Sequence, residues 1–256
     1  MISLSADIVE KFYTFLWPLT RIGAVLMVAP LFATEAANAR IRLMLALVIT
    51  FMVFPLMDWP RLDPLSSAGF IALLNQIAIG IVMGMSLQII VAALVVAGQA
   101  VSATMGLSMA NLLDPTLGNV PLLSQFFLIM GSLIFLDLGG HLLIINSVID
   151  SFKLLPIGQS LLGVEVIGKL IAWSSMMFLG GVLIALPVMV SMLLVNIGVG
   201  IMTRAAPSLN IFSVGFPALL VAGYIVVMVC IGSMGERMQW LWLQSFSRMH
   251  EILGMS

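Results

Sequence analysis

Ionisable residues are almost absent from the middle of the chain. Between Asp63 and Asp114, fifty consecutive positions carry no ionisable side chain. A helix needs roughly 20 apolar residues to cross a bilayer core about 30 Å thick. The run therefore exceeds one span, and its surplus predicts contact with protein or a water-lined path. Polar residues spaced along 98–113 favour the same interpretation; they are Gln99, Ser102, Thr104, Ser108 and Asn111.

Other uncharged stretches predict further membrane-length helices. They cover 43–57, 115–136, 170–203 and 205–235. A first helix near 12–32 contains Arg21 and is too long for a secretory signal, so we expect it to be retained. The pattern predicts an all-α membrane-type protein with about six long, kinked apolar helices arranged as hairpins.

Composition supports this class of protein. Hydrophobic residues make up 62% of the chain and charged residues 8%, against roughly 25% charged in soluble domains. A net charge of -1 without a basic cluster argues against nucleic-acid binding. Six Lys and Arg on the side of both predicted termini, against three opposite, favour cytoplasmic termini by a small margin. The single cysteine, Cys230, excludes an internal disulfide.

Small residues recur at one-turn spacing inside the long uncharged run. Gly80 and Gly84 are four positions apart, and so are Gly98, Ser102 and Gly106. Such spacing places small residues on one face of a helix and allows another backbone to approach closely. We expect these positions to pack helices together.

Residues with catalytic or metal-binding potential are few. Asp137 and His141 are four apart, but Gly139-Gly140 between them predicts a helix break, and no further ligand lies nearby. We therefore expect no metal, no cofactor and no enzyme activity. Buried carboxylates are costly in a bilayer, so Asp137 and Asp150 lie near an interface or are paired inside protein, with the interface favoured.

The C-terminal segment is amphipathic. One helical face carries Met238, Trp242, Phe246, Met249 and Leu253, and the charged residues lie elsewhere. This face predicts either a helix lying in the lipid headgroup layer or one packed on a partner helix.

A loop-forming stretch, 114–121, ends the uncharged run. Asp114-Pro115 is typical of a turn, and Met105 and Met109 lie one turn apart beside it. Most of the 20 methionines are expected to fill gaps in a helical core. Near 106–121 a second function of methionine remains an alternative, namely a hydrophobic gate, because flexible apolar side chains can close a pore against water and ions.

An ordered set of short motifs identifies a family. The motifs are Gly106-Leu107-Ser108, Asp114-Pro115, the 121–125 segment Pro-Leu-Leu-Ser-Gln, Gly140-His141-Leu142, Asp150-Ser151-Phe152 and the 155–158 segment Leu-Pro-Ile-Gly. Together with the length and the helix layout they resemble the flagellar branch of the FliR/SctT export-gate family of type III secretion.

The resemblance implies a non-enzymatic subunit of an export gate. One copy would assemble with several copies of FliP and FliQ homologues, and with FlhB and FlhA. Residues 1–165 would be FliP-like, and 166–256 would be a FliQ-like hairpin ending in the amphipathic helix. The assembly would lie in the bacterial inner membrane at the flagellar basal body, in contact with lipid and raised toward the periplasm. Unfolded flagellar substrates would pass through it.

In the family this resembles, the loop after the third long helix is held to plug the channel. The matching positions here are about 106–121, with an apolar seal and glycine hinges. The implied plug residues are Gly106, Leu107, Met109, Asn111, Leu112, Leu113, Asp114, Pro115, Gly118 and Pro121. Residues of the family motifs expected to have structural roles are Gly140, His141, Asp150, Pro156 and Gly158.

Three alternatives remain open from the sequence. A small-solute secondary transporter would use Asp137, Asp150 and Arg204 as substrate or ion contacts, although the inverted repeats typical of such proteins are not evident. The same resemblance also fits an injectisome export-gate homologue. A structural membrane scaffold without a conduit is the third.

Overall fold

The structure, a computed structural model, describes residues 2–30, 38–107, 122–158, 163–205 and 215–254. Within these ranges the regular structure is entirely helical. The helices are α1 (Ile2–Val28), α2 (Ala39–Val53), a 3-10 turn (Phe54–Leu56), α3 (Ser67–Thr104), α4 (Leu122–Asp137), α5 (Gly140–Leu154), α6 (Val164–Ser174), α7 (Met176–Ala205) and α8 (Phe216–Ile252). The predicted all-α fold is confirmed.

Four helical segments of the described chain are long and apolar enough to cross a membrane. They are Ala39–Leu56, Ser67–Thr104, Val164–Ala205 and Phe216–Ile252, and α4 with α5 gives a fifth if the broken pair is one span. The number is close to the six predicted. The predicted first span corresponds to α1, whose charged residues, Arg21 among them, lower its hydropathy.

The long uncharged run forms one helix over most of its length. α3 has 38 residues, which at 1.5 Å per residue gives a length of about 57 Å. Its most apolar window is 61% buried inside the protein. Protein contact therefore covers more than half of this window, in agreement with the protein contact expected for the run.

The chain packs as two compact units, and α3 takes part in both. The first comprises Met1–Ile89, Gly139–Ser174 and Gln244–Ser256, and the second Ile90–Leu138 and Ser175–Leu243. These units reflect packing. The predicted parts 1–165 and 166–256 are defined instead by their expected similarity to other proteins, and that division stays a prediction.

In the first unit, α1 and α3 run in the same direction in close contact. A Cβ built on Gly80 would lie 2.6 Å from Ala24 Cβ, and one built on Gly84 would lie 2.7 Å from Val28 Cβ. Any side chain larger than hydrogen would therefore force the two helices apart.

In the second unit, the C-terminal half of α3 contacts α4 and α7. A Cβ on Gly98 would lie 2.3 Å from Ser124 Cα in α4, and one on Gly181 would lie 2.7 Å from Val96 in α3. α8 contributes Trp242, whose Nε1 donates a 3.0 Å hydrogen bond to the Gly131 carbonyl of α4. This half of α3 is thus central to the unit.

Two local predictions can be compared directly with the structure. Gly139 has a φ of 67° between α4 and α5, so the predicted helix break is confirmed, and Asp137 and His141 belong to different helices. The amphipathic C-terminal segment continues α8, and its apolar face from Met238 to Leu253 is buried. Of the two alternatives for this face, the structure shows packing inside protein.

Candidate functional site

The segment implied as a plug, 106–121, is described only at its beginning. Gly106 and Leu107 lie in a turn directly after α3. The remaining implied plug residues lie outside the described residues; they are Met109, Asn111, Leu112, Leu113, Asp114, Pro115, Gly118 and Pro121. Their roles stay predictions, and the geometry available concerns the root of the segment, which we define as Thr104, Met105 and Gly106.

The root ends α3 in a tight turn. Met105 N–H donates to the Val101 carbonyl at 3.1 Å, and Gly106 N–H donates to the Ala103 carbonyl at 3.2 Å. Gly106 has a φ of 75°, a conformation that glycine adopts readily and that commonly ends helices. The chain therefore leaves the helix axis at Gly106.

Two residues that the sequence analysis did not single out hold this root. Asn196 Nδ2 of α7 donates a 3.2 Å hydrogen bond to the Thr104 carbonyl. Gly223 of α8 lies directly against Met105, which is fully buried. Asn196 is a polar residue in an uncharged stretch, and that signal could have marked it. Nothing in the sequence distinguished Gly223 from the other glycines in the same way.

The other end of the plug segment begins at α4. Leu122, the first residue of α4, is exposed, and Ser124 follows two positions later in contact with Gly98. Ser124 Oγ donates a 3.1 Å hydrogen bond to the Val95 carbonyl. Both flanks of the segment are thus joined to the same half of α3. Ser102, one turn after Gly98, is half-buried.

The family-motif residues around the helix break begin α5. Gly140 is buried at the first position of the helix. His141 is half-buried, and its Nδ1 is enclosed without a hydrogen-bond partner among the described residues. Within those residues, no group of three His, Cys, Asp or Glu could hold a metal ion.

The family-motif residues at the end of α5 lie near the surface of the first unit. Asp150 pairs with Lys153 Nζ at 3.0 Å, and both side chains are at least half exposed. Pro156 follows the end of α5, in the link to Gly158. Gly158 has a φ of 81°, and a Cβ there would lie 2.9 Å from Leu62. This glycine allows the link to pass close to the 57–66 loop.

Arg21 is the most unusual side chain in the first unit. Its side chain is completely buried, and within the described residues its four hydrogen bonds go to neutral oxygens. Two of these are the Ser151 and Leu155 carbonyls at the C-terminal end of α5, at 2.8 and 2.9 Å. A helix C-terminus carries partial negative charge and unpaired carbonyls, so it favours a cation. The sequence showed only a charge within an apolar helix, which is the general signal for an important residue.

Comparisons with known proteins address the whole chain. Residues 12–245 match the model of the family described as bacterial export proteins, family 1. The chain belongs to this family. The flagellar biosynthetic protein FliR of Pectobacterium carotovorum subsp. carotovorum is 33% identical over 250 residues, which cover 97% of this chain and 96% of the relative.

Two further relatives extend this likeness. FliR of Escherichia coli strain K12 is 32% identical over 93% of this chain and 92% of its own length. FliR of Bacillus subtilis strain 168 is 29% identical over 88% of both chains. These alignments extend on both sides of 106–121. The family motifs seen in the sequence are therefore part of a similarity that covers nearly the full chain.

Proposed function

We propose that this export protein is a subunit of the flagellar type III export gate, in which it forms the channel and plugs it at rest. Unfolded flagellar substrates would cross the bacterial inner membrane through this channel at the basal body. The chain would act as a passive barrier without catalytic residues or a cofactor. Membership of the bacterial export family and the names of the flagellar relatives support this assignment.

The observation that carries the plug is the fixed position of its root. The root is fixed by buried packing and by a hydrogen bond from α7. The root ends at a glycine in the left-handed region, Gly106, and the sequence after it includes apolar residues suited to a seal. A seal on a fixed root can return to one closed position after each substrate has passed.

The partners we propose are FliP and FliQ homologues, with FlhB and FlhA. The most apolar windows of Val164–Ala205 and Phe216–Ile252 are only 33% and 17% buried inside this chain, compared with 61% for α3. Exposed apolar area on this scale must be covered by lipid or by other subunits. A FliQ-like hairpin in 166–256 would place FliQ subunits against these faces, and the rest would contact membrane lipid.

The transporter alternative finds little support in the described residues. Asp137 and Arg204 are exposed, and Asp150 pairs with Lys153 near the surface. Transporter sites bury such residues in the interior of a bundle. The charged residues that a transporter site would need are thus exposed or near the surface, not in the interior of a bundle.

Two measurements test the proposal. The chain should co-purify with FliP and FliQ homologues as one large particle, whereas a monomer that stays folded alone would contradict the assembly. Deletion of 110–119 should raise ion leakage in cells carrying the full complex, because the seal is removed. If the assembled deletion variant shows unchanged conductance, the plug assignment is wrong.

A further inference from the structure

An open groove lies between α3 and α6 in the first unit. Its volume is about 550 Å³, within the range of roughly 300–1,000 Å³ that is typical of ligand pockets. We call it the α3–α6 groove and define it by its apolar lining residues, which are Ile71, Leu74, Ala78, Ile81, Val82 and Ile167. Asn75 also lines the groove, but its side chain is nearly buried. The groove therefore suits an apolar ligand.

The length of the groove matches the depth of one membrane leaflet. From Ile71 to Val82, α3 rises about 17 Å, and one leaflet of a bilayer core about 30 Å thick is about 15 Å deep. One turn beyond Val82, Trp173 Nε1 of α6 donates a 3.0 Å hydrogen bond to the Ser86 carbonyl of α3. This bond joins the two helices at the inner end of the groove and holds α6 in place as its second wall.

The lining of the groove differs from the faces of α3 that pack on other helices. Those faces use glycines, since Gly80 and Gly84 lie against α1 and Gly98 lies against α4. Small residues allow backbones to approach closely, and none of the described lining residues is a glycine. Ile71 and Ile167 instead present large side chains that are about half exposed. A flexible hydrocarbon chain fits between such side chains better than a second helix does.

The outer end of the groove lies next to the loop before α3. The Asp63 carbonyl is placed directly against Gly69, two residues before Ile71. From Ser67, where α3 begins, to Ile71 the helix rises about 6 Å. The headgroup layer on each side of a bilayer core is about 5–8 Å deep. A lipid chain in the groove would therefore have its headgroup beside this loop.

The loop carries both signs of charge at this end. The Arg61 side chain is 81% exposed, and its 2.9 Å ion pair with Glu10 is of the exposed kind that contributes little. Asp63 is exposed, and its Oδ1 accepts a 3.0 Å hydrogen bond from the Leu65 N–H. A carboxylate has further acceptor positions. The pair Arg61 and Asp63 thus complements a headgroup that contains both an anion and a cation.

We propose that the α3–α6 groove binds one acyl chain of a phospholipid with an ethanolamine headgroup. Arg61 binds the phosphate, Asp63 binds the primary ammonium, and the acyl chain lies along α3 from Ile71 to Val82. The site goes beyond the proposed function, because it requires contact with the membrane and does not depend on the plug.

Photo-crosslinking in cells that carry the complete export apparatus tests the occupant. The photoreactive residue p-benzoylphenylalanine replaces Ile71, which is exposed at the outer end of the groove. After irradiation, mass spectrometry of the peptide should show an adduct with phosphatidylethanolamine. An adduct with another subunit would mean that a protein occupies the groove, and this result, or no adduct at all, would overturn the proposal.

A variant that fills the groove shows whether the adduct depends on it. Ala78→Trp places an indole among the lining residues and should lower the yield of the lipid adduct at position 71 by about tenfold or more, equivalent to about 1.4 kcal/mol of binding free energy. Met44→Trp on α2 is the matched control, because Met44 is exposed and does not line the groove. Equal yields in the two variants would contradict a lipid held in the groove.

The headgroup is tested with the purified complex in vesicles of equal parts phosphatidylethanolamine and phosphatidylglycerol. The adduct at position 71 should be mainly phosphatidylethanolamine, and Asp63→Asn should remove this preference while keeping the acceptor for the Leu65 N–H. Asp150→Asn, another exposed carboxylate of the first unit, should preserve it. Equal adducts of both lipids without any substitution at position 63, or an unchanged preference in Asp63→Asn, would refute the assignment and also decides the matter if Ala78→Trp does not assemble.

Failure of this site can be distinguished from failure of the proposed function. Co-purification with the partner subunits and ion leakage on deletion of 110–119 do not depend on the groove. If both succeed and no lipid adduct forms at position 71, the lipid site is wrong and the proposed function stands.

Discussion

Arg21 Nε donates a 2.7 Å hydrogen bond to Gln76 Oε1, and this bond joins α1 to α3 in the interior of the first unit. The same guanidinium lies 4.3 Å from the centre of the Phe152 ring on α5. One cation thus links three helices, and the carbonyls at the end of α5 take the place of a carboxylate.

Replacing Arg21 with methionine should destabilise the first unit. The change removes the charged donors and leaves the buried carbonyls and Gln76 Oε1 without them, at a cost of roughly 3 kcal/mol. Thermal unfolding of the purified complex measures the effect. Arg237→Met is the control, because Arg237 is exposed and should change stability by at most about 0.5 kcal/mol. Equal unfolding temperatures for the two variants would contradict the role given to Arg21.

Gly80→Ala should weaken the contact between α1 and α3. The new methyl group would lie 2.6 Å from Ala24 Cβ and 2.7 Å from the Arg21 carbonyl oxygen, and overpacking of this kind costs about 1–3 kcal/mol. Gly23→Ala on α1 meets nothing within 4 Å and should gain up to about 1 kcal/mol from helix propensity. The two alanines are thus expected to shift the unfolding temperature in opposite directions. A shift in the same direction would count against the close packing.

Trp242→Phe should destabilise the second unit through one lost hydrogen bond. The Gly131 carbonyl, which is buried within α4 and keeps its helical donor, would lose the additional indole hydrogen bond, and one such bond contributes about 0.5–1.5 kcal/mol. Trp240 lies two positions earlier and is 42% exposed. Trp240→Phe should therefore leave the unfolding temperature nearly unchanged, and a larger effect at 240 than at 242 would refute this explanation.

Asp150→Asn should have little effect on stability or export. The ion pair with Lys153 is exposed, and such pairs contribute at most about 1 kcal/mol. Secretion of flagellar substrates and thermal unfolding check the two parts of this prediction. If an assembled Asp150→Asn variant loses export entirely, the carboxylate has a function beyond the ion pair, and the transporter alternative returns.

The sequence predicted those features that depend on local chemistry. The gap between Asp63 and Asp114 indicated more apolar length than one span uses, with the surplus in contact with protein or a water-lined path, and Gly139-Gly140 indicated the break before α5. The buried face that includes Trp242 was visible from its helical spacing.

Contacts between distant segments could not be predicted in this way. Arg21 meets the carbonyls of α5 across 130 positions or more, and hydropathy reports burial without naming the partner. Gly223 looks like any other glycine of a membrane helix until Met105 is placed against it. For the plug residues from Met109 to Pro121, which lie outside the described residues, the assignment still comes from the family likeness.

The pairing of α1 with α3 follows a constant register, since Arg21 meets Gln76, Ala24 meets Gly80 and Val28 meets Gly84. One residue inserted after Arg21 would rotate every later side chain of α1 by about 100° around the helix axis. Ala24 and Val28 would then turn away from the glycines that receive them. Natural length variation should therefore be confined to loops, and α1 should tolerate substitutions far better than insertions or deletions.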